Sequence, residues 1–244
     1  MAASAKIIDL RNLLAERFPH PSCRTARRLL SSVPFFDESI GGGLPCGAIT
    51  ELISPATSAT TPAMSSRSDA GRAHSIADRL ETTAGSASLI HALVQCAYRD
   101  NYFLALIDGR DSFDPCGLDN AWLEHLLWIR CSKASEGVKA ADLLLRDGNF
   151  PLVIIDLVLN APDELRKIPQ TNWYRLQRLV EVVPTACLVL TRHEMVSSAQ
   201  LKLVLKNYRN TQTFETTDAL APMRIVVKRS HVQPEVPSQK SAAS

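Results

Sequence analysis

Nowhere in these 244 residues does a G-x-x-x-x-G-K-[ST] run occur. That absence removes the usual cradle for a nucleoside triphosphate. Such a loop offers backbone N–H groups to the phosphates, a lysine charge to the transferred group and a hydroxyl to magnesium. Paired cysteines are missing too. Cys23, Cys46, Cys96, Cys116, Cys131 and Cys187 are scattered singly, with no C-x-x-C and no Cys/His spacing that fits zinc. Such cysteines read as reduced thiols, so a cytoplasmic location is expected and a metal site is not. No apolar run approaches the length of a membrane span, and the N-terminus has no signal-peptide pattern. Charge of one sign is absent as well. Lys and Arg number 27 against 25 Asp and Glu, a formal net charge of +2. Any nucleic-acid contact must therefore come from local patches.

What remains is an ordinary globular composition, 45% hydrophobic and 21% charged, long enough to bury a core without staples. Ile8, Leu10, Leu13, Leu14 and Phe18 recur at near-helical spacing, which predicts an amphipathic helix ended by Pro19 and Pro21. Residues 1–34 are read as an N-terminal helical segment. The core is expected over 35–234, with a Ser/Thr/Ala-rich, flexible insertion at 54–80 and a disordered tail at 235–244. Within the core, apolar strands are predicted at 48–53, 102–107, 126–130, 152–155 and 186–190. Helices are predicted at 88–98, 118–125, 137–147, 172–183 and 199–207. Closing strands, antiparallel in this reading, fall at 211–216 and 224–228. Continuous apolar strands alternating with helices predict an α/β fold, a mostly parallel sheet with helices on both faces. Ligands in such folds bind at the carboxyl ends of the strands, where Asp108 and Asp156 fall.

Four segments, in order, resemble the RecA superfamily. Gly41 to Leu52, G-G-G-L-P-C-G-A-I-T-E-L, resembles the turn and strand before its phosphate-binding loop. Ile107 to Pro115, I-D-G-R-D-S-F-D-P, resembles the strand end and loop that carry the catalytic glutamate. Leu152 to Asp156, L-V-I-I-D, resembles the Walker B strand, and Val226 to Pro234, V-V-K-R-S-H-V-Q-P, a late strand at the subunit interface. The opening K-I-I-D-L-R-N-L-L-A-E-R-F is similar instead to the ImuA group of RecA-like accessory proteins, linked to SOS mutagenesis and translesion synthesis. The resemblance implies a RecA-like fold of the P-loop NTPase type with a degenerate nucleotide site.

Two alignments of the lost loop are open. Ser54 to Thr61 places Thr60 in the lysine position. Thr83 to Ser88 places Gly85 and Ser86 at the helix start and is preferred, because a regular helix follows. A helix N-terminus attracts anions, and it is also simply where any helix begins. The vestigial site thus comprises Gly85, Ser86, Ser88, Asp108, Arg110 and Asp156. Arg110 stands where the resemblance puts the glutamate, and a guanidinium accepts no proton from water. It is expected to pair with Asp108, Asp111 or Asp114. Asp111 next to it is in principle a base, and Asp156 is either a magnesium carboxylate or a turn cap. By the same resemblance, Arg192 stands where RecA has a polar pair that senses nucleotide, and the two stretches where RecA carries its DNA-binding loops are short here. Candidate DNA contacts are Arg166, Lys167, Arg192, Lys202, Lys206, Lys228 and Arg229, with solvated faces as the plain alternative. His20, His125 and His193 have no partner at triad or metal spacing.

The reading is a catalytically inactive RecA-like scaffold in the DNA damage response. By resemblance its partners are RecA itself, an ImuB-type translesion polymerase, or both, with weak DNA contact and no membrane. Leu10, Leu13, Leu14 and Phe18 are the candidate docking residues. No cofactor is expected. The alternatives are a weak ATPase holding ATP and magnesium through a non-standard loop, and a SulA-type inhibitor of cell division.

Overall fold

A computed structural model describes residues 28–55, 85–207 and 223–231. The predicted helix with Leu10, Leu13, Leu14 and Phe18, the insertion at 56–80, the strand at 211–216 and the tail lie outside the described residues.

A seven-stranded sheet organises the chain, in the order β5-β4-β6-β7-β3-β8-β9. Its strands are β3 (Ala48–Ile53), β4 (Leu104–Asp108), β5 (Leu126–Arg130), β6 (Leu152–Asp156), β7 (Ala186–Thr191), β8 (Leu201–Asn207) and β9 (Met223–Ser230). All neighbours pair in parallel except β8 and β9, which pair antiparallel. Strands β3, β4, β6 and β7 are buried along their whole length, because helices cover both faces. That is why their sequences run apolar without alternation.

On one face lies α2 (Ser86–Arg99), with Leu89, Ile90, Leu93 and Val94 packed against Leu104, Leu106, Ile154 and Leu188. The other face carries α4 (Ala134–Asp147) and α6 (Gln170–Glu181), with Val138, Leu145, Trp173 and Val180 against Ile107, Val153 and Val189. Short helices α3 (Asn120–Leu123) and α5 (Pro162–Arg166) fill connections. A small antiparallel ribbon of β1 (Arg28–Leu29) and β2 (Leu44–Pro45) flanks α1 (Pro34–Ile40).

The Gly41–Gly43 triplet has a structural task. Gly41 ends α1 in the left-handed region at φ 76°. Gly43, at φ 111°, passes so close to β1 that a Cβ there would lie 2.4 Å from the Leu29 carbonyl oxygen. Arg28 completes the corner by donating to the Ile40 oxygen at 2.6 Å and the Gly43 oxygen at 3.1 Å.

Several expectations need correction. The segment 199–207, predicted as a helix, is strand β8, paired to β3 and β9. Leu201, Leu203 and Leu205 point into the core, while Lys202 and Lys206 alternate with them, a period of two. The predicted helix over 118–125 shortens to four residues, Asn120–Leu123. Residues 28–29 form a strand inside the segment expected to be helical. The antiparallel closing strand at 224–228 is present as β9.

Candidate functional site

The carboxyl ends of β4 and β6 bring two carboxylates side by side, because Asp108 and Asp156 are register partners. Both are buried. Asp108 is committed to its own loop. Its oxygens accept from the amides of Arg110 (3.2 Å), Ser112 (2.8 and 2.9 Å) and Phe113 (2.8 Å), and from the Ser112 hydroxyl (3.2 Å). Four donors on one carboxylate fold the 109–113 turn back onto β4. Asp156 accepts from the Val158 amide at 3.0 Å. Burial pushes its carboxyl up to about 6, and the nearby Asp108 adds to the rise. Through that bond Asp156 caps the turn that follows β6.

Arg110 and Asp111, in the loop after Asp108, both find partners on the far side of that loop. Arg110 does not pair with Asp108, Asp111 or Asp114 through its guanidinium. It reaches across to the Ser132 carbonyl at 3.3 Å. Asp111, in the left-handed region at φ 55°, forms a two-pronged pair with Arg130 instead. Arg130 pulls the Asp111 carboxyl below its usual range, which makes it a weaker base. Arg130 in turn lies over the Trp128 ring, 5.1 Å from its centroid.

At the start of α2 sits Gly85, at φ 105°, with no side-chain cap. Ser86 is buried and Ser88 half-buried. A Cβ on Gly85 would lie 2.6 Å from Met223 Cε and 3.5 Å from a methyl of Leu205. The helix start is therefore packed by apolar side chains of β8 and β9. The carboxylates end β4 and β6, on the other side of β7 and β3. Three strand spacings, about 14 Å, separate β6 from β8. Gly85, Ser86 and Ser88 thus form one group, and Asp108, Arg110 and Asp156 another.

The candidate DNA contacts disperse. Lys202 is buried and carries no surface patch: its ammonium lies 3.2 Å from Glu51 and 2.9 Å from Glu194. Lys228 pairs with the same Glu194, and Arg229 donates to the carbonyls of Ser197 (3.3 Å) and Ala199 (2.8 Å). Lys228 first, then Lys202, pull the Glu194 carboxyl down to about 2. Arg166 is exposed and pairs with Asp163 at 3.1 Å. Arg192 follows β7 and Lys206 is exposed on β8. Lys167 ends α5 and shares a cleft with Arg110. Met1 to Phe18, with the docking candidates, are outside the described residues.

Sequence reading missed Glu51. It sits in the middle of β3, fully buried, and one oxygen accepts from the Met195 amide (2.7 Å), the Val196 amide (3.0 Å) and the Thr191 hydroxyl (3.3 Å). A lone charge in A-I-T-E-L-I was the signal available. Asn160 was missed as well. It donates to the Gly109 carbonyl at 2.9 Å and to Glu164 at 3.3 Å, tying the ends of β4 and β6 together.

Among the described residues no cluster of three or more His, Cys, Asp or Glu is arranged for a metal, and no helix is long and apolar enough to cross a membrane. No protein-family model matches the chain, and no curated protein matches it. Among solved structures, the crystal structure of the RadB recombinase is similar. Its TM-score is 0.54 at 16% identity, over 85% of this chain and 92% of that one. The likeness is one of fold, and the fold is RecA-like α/β.

Proposed function

We propose that this chain is a RecA-like accessory protein of the DNA damage response that does not hydrolyse ATP and acts through protein partners. The observation that carries the first half is the packing at the start of α2. In a working ATPase of this kind, a phosphate loop with its lysine leads into that helix, and the helix N-terminus faces the anion. Here no such lysine-bearing loop exists in the sequence, and Met223 and Leu205 lie against Gly85. Apolar atoms at that position strengthen no phosphate interaction. Arg110, in the place of the glutamate, supports the same conclusion, as does Asp156, which burial pushes up to about 6.

The second half rests on the resemblance of the opening residues to the ImuA group and on the RecA-like fold. RecA and an ImuB-type translesion polymerase are the proposed partners, and Leu10, Leu13, Leu14 and Phe18 the docking residues. A pull-down from DNA-damaged cells tests this, using the full chain and a chain lacking Met1 to Phe18. Recovery of RecA or a translesion polymerase by the full chain, lost on truncation, is the expected result. Recovery of neither overturns the proposed partnership, and recovery of a tubulin-like division protein replaces it with the SulA-type alternative.

A further inference from the structure

Helices α4 and α6 lie side by side on the sheet, and the furrow between them is rich in positive charge. At its upper end, Arg110, Lys133 and Lys167 line a cleft of about 460 Å³ that Asn172 and Ser135 also border. One turn further along α6, Arg175 bonds across to Asp142 on α4, Nε to Oδ1 at 2.7 Å and Nη2 to Oδ2 at 3.1 Å. Beyond it, Arg146, Arg175 and Arg178 line a second hollow of about 630 Å³ with Tyr174 and Leu179. Asn172, Arg175 and Leu179 fall on one stripe of α6, so the two hollows follow one another along the helix with the Arg175–Asp142 pair between them. From Lys133 to Arg146 the α4 axis rises about 20 Å.

Six cations therefore border the furrow, against two carboxylates, Glu164 and Asp142. Both carboxylates are already occupied. Glu164 accepts from the Ala134 amide and from Asn160. Asp142 is held by Arg146 and Arg175. The excess charge is left for a ligand. Its division between two ends about 20 Å apart selects an extended polyanion over a single phosphate. Tyr174, 53% exposed at the lower end, adds a ring face, and a base stacks on such a face while the backbone runs over the cations.

We infer that the α4–α6 furrow binds the sugar-phosphate backbone of a single-stranded nucleic acid. The inference does not rest on the packing at the start of α2, since Gly85 and Met223 line neither hollow; Arg110 alone is shared with the loop after β4. The inference also moves the DNA-contacting surface away from β8 and β9.

Fluorescence anisotropy with the full chain and a short labelled oligothymidine tests it across salt. With about four phosphate contacts, the excess of cations over carboxylates, log K is expected to fall with log[salt] at a slope of about −2.8. K133E/K167E and R146E/R178E should each weaken binding at least about tenfold and flatten the slope by about 1.4, whereas K206E on β8 should leave both unchanged. Y174A should weaken binding without altering the slope. Circular dichroism checks the folding of each variant, and K133Q/K167Q replaces a charge reversal that unfolds. Loss of binding in K206E with retention in the furrow variants overturns the proposal. So does equal affinity for duplex DNA, binding of polyglutamate but not of oligothymidine, or no binding at low salt.

Discussion

At Asp156 burial and a neighbouring carboxylate act in the same direction. The group is held at about 6, against an ordinary value of 3.8. The fold thus prefers the protonated form. The stability this confers is complete below the unfolded value, near pH 4, and is lost as pH rises through about 6. The whole displacement corresponds to at most about 3 kcal/mol. Asp156→Asn keeps an oxygen for the Val158 amide and removes the charge. In urea unfolding it should stabilise the protein by up to about 3 kcal/mol at pH 8, with the gain gone at pH 4. A carboxylate needed for magnesium is tuned the other way. A loss of stability in Asp156→Asn at pH 8 would show that the charged form is the one the fold accommodates.

At the scale of elements, the 192–200 segment is held on the sheet by the interior of β3. Glu51 accepts two amides of that segment and lies 3.2 Å from Lys202 on β8, which Glu194 also binds. Removing one member of a buried pair leaves the other charge unpaired and costs about 3–5 kcal/mol. K202M should therefore destabilise strongly. E51Q/K202M should recover much of the loss, because glutamine still offers an oxygen to the Met195 and Val196 amides. Urea unfolding of the two single variants and the double should give a coupling energy of about 1–3 kcal/mol. Strict additivity would contradict the pairing. The same elements show where sequence reading reached and where it stopped. β3, β4, β6 and β7 are continuous apolar runs because both faces are covered, and α2, α4 and α6 keep a helical stripe, so both classes were legible. β8 was not. Its inward Lys202 looked like one side of a charged helix, and the carboxylate that neutralises it lies 151 positions earlier in the chain. Nothing local announces such a partner. The pairing of Arg110 with the Ser132 carbonyl and of Asp111 with Arg130 was hidden for the same reason, since both cross between strands.

Taken as a whole molecule, the chain has a RecA-like sheet, and the groups at its carboxyl edge are engaged within the fold. The paired carboxylates at the ends of β4 and β6 are each engaged by the turn that follows. The start of α2 meets Leu205 and Met223, and the guanidinium of Arg110 reaches the Ser132 carbonyl. The absence of a lysine-bearing phosphate loop and the two strand-end aspartates were legible in the sequence. The packing of Met223 against Gly85 was not, because the two meet only in the folded sheet. A magnesium-ATP titration of the full chain, followed by turnover in the same samples, tests this account most directly. No saturable binding at millimolar nucleotide and no phosphate release above the buffer rate are the predicted results. Saturable binding with turnover that Asp156→Ala abolishes would contradict it.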